Sequence, residues 1–268
     1  MPKVSVIMGV YNNAGTLRES IDSVLRQTFD DFEFIIYDDA STDASLEILR
    51  RAAKADKRIT VLHGEENRGL SYALNRCIDA SSGEYCARMD GDDLCDGSRF
   101  EKQTAFLDSH HEYGFVSTLM NRFDEKGVYS TPPNVPGHSP SAGELVPGSP
   151  FCHATVMIRR SAYITVGGYS EDRRCLGVED YDLWFRLYAA GIRGYIMGEA
   201  LYSMFDGRDA ARRRTMKRRV NEAGVRRRGY RLLHVPIIRR VYVLKPIVIG
   251  LIPQWLYRRL RGIGGGAR

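Results

Sequence analysis

The chain has 268 residues, 43% hydrophobic and 27% charged, enough for one sizeable α/β domain plus an extension and ordinary for a soluble globular protein. Its five cysteines are odd in number and none forms a Cys-x-x-Cys pair, which argues against a zinc site or a disulfide framework and fits a reducing compartment. The net charge of +6 is unevenly spread: residues 207–268 hold 18 Lys/Arg against two acids, a balance of +16, while the remainder holds 21 bases against 31 acids, a balance of −10.

Residues 4–10 are a continuous apolar run, too short for a signal peptide, and read as a buried parallel strand. The stretch Tyr11-Asn12-Asn13-Ala14-Gly15 is a turn, and Thr16 is placed to cap a helix bearing Leu17, Ile21, Val24 and Leu25 at helical spacing. A second strand over residues 32–37 ends in Asp38-Asp39. Ser41-Thr42-Asp43 then caps a helix with Leu46, Ile48 and Leu49 turned inward. Residues 59–62 form a third strand, Asn67-Arg68-Gly69 leads into a helix over about 70–80, and residues 85–89 form a fourth strand. Alternating β and α units predict a parallel, doubly wound sheet, in which ligands bind at the carboxyl ends of the strands. Tyr11, Asp38-Asp39 and Asp90-Asp92 all fall at such ends. Residues 131–150, rich in Pro, Gly and Ser, read as a mobile loop or crossing segment, and residues 151–159 resume a strand. After the turn at Gly167-Gly168-Tyr169, Gly177-Val178-Glu179-Asp180-Tyr181-Asp182 opens a helix bearing Leu183, Trp184, Leu187 and Tyr188 and closed by Gly191.

Two acidic constellations carry chemistry. Met89-Asp90-Gly91-Asp92-Asp93 packs three carboxylates into four residues, costly unless a cation is present. A hard divalent ion that takes one or two carboxylates and completes its shell with water and substrate phosphates is the natural neutraliser. In Glu179-Asp180-Tyr181-Asp182-Leu183-Trp184, the helix N-terminus accounts for Asp182 as a cap and leaves Glu179 and Asp180 over. A carboxylate partly desolvated beside an apolar ring such as Trp184 suits a general base.

These motifs, together with Val4-Ser5-Val6-Ile7-Met8-Gly9-Val10-Tyr11-Asn12, Ser23-Val24-Leu25-Arg26-Gln27-Thr28-Phe29, Asp38-Asp39-Ala40-Ser41-Thr42-Asp43 and Asn67-Arg68-Gly69, stand in the order that family 2 glycosyltransferases carry them. The chain resembles that family over about residues 3–205. The resemblance implies a GT-A (Rossmann-like) α/β fold, a mostly parallel central sheet flanked by helices. It divides residues 1–206, the catalytic domain, into a nucleotide-binding half of about 1–95 and an acceptor-binding half of about 96–206. It implies an inverting, metal-dependent hexosyl- or N-acetylhexosaminyl-transferase that uses a nucleotide sugar, a UDP-sugar foremost, with Mn2+ or Mg2+. Gly9, Tyr11, Asp39, Arg68 and Asp90 would serve the nucleotide, Asp92 with Asp90 the metal, Asp180 the acceptor proton, and Glu179, His153 and Trp184 the acceptor side. Where many relatives have an Arg/His pair after the last strand, this chain reads Leu201-Tyr202-Ser203-Met204-Phe205-Asp206-Gly207-Arg208, which leaves Asp206 or Arg208 to occupy that space.

Residues 207–268 read as a basic helical extension. Arg212-Arg213-Arg214, Lys217-Arg218-Arg219 and Arg226-Arg227-Arg228 precede an apolar stretch broken by Pro246, Gly250 and Pro253. Trp255-Leu256-Tyr257 and Arg258-Arg259-Leu260-Arg261 follow. The stretch is shorter than the ~20 residues a membrane span needs. Aromatic residues beside arginines suit an anchor on anionic lipid, and packing on the catalytic domain is the alternative. No nucleic-acid motif accompanies the charge. The expectation is a cytoplasmic protein, peripheral at the inner face of the membrane, acting on a saccharide or lipid-linked saccharide in surface-polysaccharide synthesis. A sugar nucleotidyltransferase and an inactive family member serving as a binding subunit are the rival readings. The first wants a basic phosphate loop where Tyr11–Gly15 has none.

Overall fold

A computed structural model describes residues 1–206 and 215–251. The chain order is β1 (Val4–Val10), α1 (Leu17–Leu25), β2 (Phe32–Asp38), α2 (Ser45–Ala55), β3 (Ile59–His63), α3 (Leu70–Ala80), β4 (Tyr85–Arg88) and β5 (Leu94–Cys95). Next come α4 (Arg99–Ser109), β6 (Tyr113–Asp124), β7 (Gly127–Ser130), β8 (Met157–Arg159), α5 (Arg160–Val166), α6 (Glu179–Ala189) and β9 (Arg193–Phe205). Two further helices, α7 (Met216–Leu232) and α8 (Lys245–Leu251), flank a 3-10 segment at Ile237–Leu244.

One sheet in the order β3-β2-β1-β4-β8-β6-β9-β5 organises these elements, with β7 paired to β6. Strands β1 to β4 pair in parallel, β8 joins antiparallel to β4 and β6, and β9 runs parallel to β6. Strand β1 is buried on both faces, which is why it reads as an unbroken apolar run. Its side chains alternate between two cores: Val4, Val6 and Met8 enter one with α1 and α4, and Ile7 enters the other with α3 and α6.

Local chemistry sets the helix starts differently from expectation. Thr16 occupies the N-cap position of α1, but its hydroxyl donates to the Gly91 carbonyl at 2.9 Å, tying the helix to the acidic loop. Ala44, not Asp43, precedes α2, while the Asp43 carboxylate accepts the amides of Ser45 and Ala14. Residues 151–159 are not one strand. Thr155 turns its hydroxyl back to the Cys152 carbonyl at 3.0 Å, making His153–Thr155 a 3-10 turn, and only Met157–Arg159 pairs in the sheet.

The described part of the C-terminal extension packs on the body. Helix α7 lies on α6 so closely that a Cβ on Gly229 would sit 2.2 Å from the Phe185 ring. Arg226 is buried, donates to the carbonyls of Val146 and Pro147, and pairs with Glu222. The expected anchor residues Trp255–Tyr257 and the arginines at 208, 212–214, 258, 259 and 261 lie outside the described residues.

Candidate active site

The acidic cluster sits where β4 leaves the sheet. The Met89 amide closes on the Ile7 carbonyl at 3.0 Å, and Ser20 of α1 donates to the Asp93 carbonyl at 2.7 Å, so the loop is pinned at several points. Candidate ligand atoms of Asp90, Asp92 and Asp93 all lie within 4.8 Å of one another. Asp93 is buried and accepts the Phe205 amide at 2.7 Å. Its burial and the charges of Asp90 and Asp92 push its carboxyl up to about 8. Excess negative charge with oxygen donors is what a hard divalent cation relieves, and the half-buried Asp90 and Asp92 are the donors placed to hold one. Arg88, nearly buried on β4, donates to Asp90 at 2.6 Å and also acts electrostatically on Asp180 and His153.

The residues expected to serve the nucleotide lie in or after β1 and β2, with Arg68 just before α3. Tyr11 is 48% exposed, free to offer a ring face. Asn12 beside it holds a left-handed φ of 53°, with its side-chain oxygen accepting the Thr42 amide at 2.8 Å. Asp39 is buried and both its oxygens accept backbone amides, Arg68 at 2.9 Å and Gly69 at 2.7 Å, so the carboxylate fixes the entry to α3. The Arg68 guanidinium lies 3.8 Å from the centre of the Tyr72 ring and 3.9 Å from Glu171. At Gly9 a Cβ would lie 3.0 Å from that of Ala73, so the missing side chain admits α3 against the sheet.

Of the residues expected on the acceptor side, Glu179, Asp180 and Trp184 belong to α6 and His153 to the 3-10 turn before β8. Burial, with the charge of Glu179, pushes Asp180 up to about 6. Asp182 does not cap the helix: Val178 holds that position, and Asp182 pairs with Arg186 at 2.7 Å and Arg228 at 3.6 Å. The His153 Nε2 lies 2.7 Å from the Tyr169 hydroxyl, and burial holds the ring well below the usual imidazole range, hence neutral. Trp184, expected on the acceptor side, is fully buried and stacks on Phe115 at 5.0 Å, so it supports α6 from the core.

A cleft of about 570 Å3 opens over the acidic cluster. Asp90, Asp92 and Asp93 line it together with Arg122, Arg218, Arg219 and Lys245. Arg218 also lines a second cleft, of about 340 Å3, with Glu179 and Leu176, and its charge acts on Asp180. Asp206 borders the first cleft, where its carboxylate takes Arg122 at 2.8 Å and the Tyr129 hydroxyl at 2.7 Å. Arg88, Arg122 and Arg218 were not singled out for the site from sequence. The signal for Arg88 was a charged residue on a buried strand directly before the cluster. For Arg218 there was only its membership of a basic run.

The model of the family Glycosyl transferase family 2 matches residues 5–167. A protein of Bacillus subtilis (strain 168) named as a glycosyltransferase, EpsE, is 42% identical over 259 residues, 96% of this chain and 92% of that protein. The amylovoran biosynthesis glycosyltransferase AmsE of Erwinia amylovora is 28% identical over 213 residues, 78% of this chain and 79% of its own. Among solved structures, S. aureus TarS 1-349 in complex with UDP-GlcNAc superposes with a TM-score of 0.71 at 17% identity, covering 99% of this chain and 76% of that one. The mannosyltransferase PcManGT of Pyrobaculum calidifontis, in complex with GDP-Man and Mn2+, gives 0.64 at 19% identity, covering 98% and 79%. The likeness to these structures establishes the GT-A fold.

Proposed function

The chain belongs to glycosyl transferase family 2, and on that premise we propose that it moves a sugar from a nucleotide-sugar donor, a UDP-sugar foremost, to an acceptor hydroxyl with inversion. The observation that carries this reading is the acidic cluster at the end of β4: ligand atoms of Asp90, Asp92 and Asp93 lie within 4.8 Å of one another and border a cleft that Arg218 and Lys245 also line.

Asp180 takes the proton from the acceptor hydroxyl at a carboxylate oxygen. The acceptor oxygen then bonds to the anomeric carbon as the bond from that carbon to the diphosphate oxygen breaks. Burial suits Asp180 to this task, since it raises the carboxylate's affinity for a proton above that of an ordinary aspartate. Asp92 and Asp90 would hold Mn2+ or Mg2+, which when bound offsets charge on the diphosphate. Arg218 and Lys245, which line the same cleft, add positive charge to it. Tyr11 offers its ring to the base, and Arg68 stands near the base or diphosphate. Asp39, both of whose oxygens already hold amides, serves the uracil through a remaining lone pair. Glu179 and His153 shape the acceptor side.

The acceptor is a saccharide or lipid-linked saccharide in polysaccharide synthesis, a reading supported by the amylovoran enzyme among the relatives. Such an acceptor places the protein at the inner face of the membrane, where the basic C-terminal segment meets anionic lipid. Residues 1–206 then form the catalytic domain and residues 207–268 a basic extension, of which α7 and α8 line the cleft.

The test is thermal shift with nucleoside diphosphates and nucleotide sugars, with and without manganese. A ligand at 100 times its dissociation constant adds about 2.7 kcal/mol. UDP compounds should shift the wild type in a metal-dependent way, and Asp92→Ala should lose the metal-dependent part. No shift with any nucleotide in folded protein would overturn the reading.

A further inference from the structure

Resting on the glycosyltransferase reading, we propose that one aliphatic ridge of the C-terminal segment is the surface that seats this protein on an anionic lipid bilayer, alongside the mouth of the acidic cleft. The 3-10 segment Ile237–Leu244 runs directly into α8. A 3-10 helix repeats every three residues, so Ile238, Val241 and Leu244 share one side, and Val248 and Leu251 continue the line at α-helical spacing. Their exposures are 82%, 64%, 55%, 55% and 72%, and none of residues 237–244 is buried. Single exposed aliphatics are ordinary on a protein surface, whereas a contiguous run of five marks a contact face.

The other side of α8 is occupied. Pro246 is buried, and Lys245, Pro246 and Ile249 line the cleft that holds Asp90 and Asp92. Ridge and cleft are therefore two sides of one short helix. A bilayer against the ridge brings the head of a lipid-borne acceptor to the cleft edge.

Charge selects the occupant. The ridge belongs to the segment with a balance of +16, and Arg239 and Arg240 flank it, both exposed. A second copy would set two such segments against each other, while anionic headgroups neutralise them. No helix among the described residues is long and apolar enough to cross a membrane, so the contact is interfacial.

The experiment is cosedimentation of the full chain with vesicles of phosphatidylcholine alone or mixed equally with phosphatidylglycerol, at low and high salt. Two variants, Ile238→Ser/Val241→Ser/Leu244→Ser and Val248→Ser/Leu251→Ser, leave the charge unchanged and alter only exposed side chains. Wild type should bind the anionic vesicles and keep part of that binding at high salt, where basic contacts are screened. The triple variant should partition roughly tenfold less or weaker still, given the apolar area it withholds, and the double variant should follow in the same direction. Hydrolysis of the UDP-sugar without lipid should be equal in all three. Unchanged binding by both variants, no binding by wild type, or a wild-type dimer that the variants dissociate would overturn the proposal. Failure of the glycosyltransferase reading is seen separately, as absence of donor hydrolysis in every form whatever the vesicles show.

Discussion

Asp180 carries two opposed demands. As the proposed base it must be ionised, but burial and the charge of Glu179 raise its carboxyl from 3.8 to about 6. Transfer should therefore rise with pH through about 6. Asp180→Asn should cost roughly 10²–10⁴ in rate while sparing nucleotide binding. The same shift has a stability consequence of fixed sign. A carboxyl raised in the folded state binds its proton more tightly folded than unfolded, so its contribution falls as pH climbs from about 4 to about 6. Two pH units correspond to at most about 3 kcal/mol, and less for a half-buried group. Asp180→Asn removes that penalty. It should melt above wild type at pH 8 and lose the advantage below pH 4, as calorimetry at the two pH values would read. A variant with near-full activity would refute the base assignment.

The elements were legible in the sequence where their signals were local. The run at residues 4–10 and the helix at 70–80 coincide with β1 and α3, because an unbroken apolar strand and a helix behind Gly69 are each written within a dozen residues. Strands β6 and β9 were not read: they pair with each other about 80 residues apart, and β6 is only half-buried beyond Thr118. The acidic cluster was legible for the same local reason. The double use of Asp39 was not, since its amide partners come 29 and 30 residues later. The basic runs of α7 leave a lipid contact and packing on the catalytic domain both open, and the structure packs α7 on α6 and into the lining of the cleft. Two glycines of α7 test that packing. At Gly224 nothing lies within 4 Å of an added Cβ, so Gly224→Ala should stabilise by the helix propensity alone, about 0.5–1 kcal/mol. At Gly229 the added Cβ would meet the Phe185 ring at 2.2 Å. Overpacking of about 1–3 kcal/mol then outweighs the propensity gain, and Gly229→Ala should melt lower. Equal effects in urea unfolding would mean that α7 does not rest on α6.

At the scale of the whole molecule, the uneven charge is matched by geometry. A body of −10 presents carboxylates to a cleft, and a segment of +16 adds Arg218, Arg219 and Lys245 to its lining. The segment also covers apolar surface: Val225 and Tyr230 are fully buried, and Tyr230 meets Phe185 edge-on at 5.9 Å. A detachable anchor would leave the catalytic domain intact on removal. An integral wall would not. A chain ending at Asp206 should therefore lose stability, because the α6 face becomes solvent-exposed, and should lose donor hydrolysis even with no lipid present. The loss of rate should reach at least about 10²-fold, since removal of one fixed electrostatic contact in an active site costs about 10²–10³. The measurement is UDP-sugar hydrolysis beside a melting curve for both lengths. Wild-type hydrolysis by a well-folded short chain would mean that residues 1–206 suffice for the chemistry. A folded short chain without activity would assign these lining cations to catalysis rather than to support.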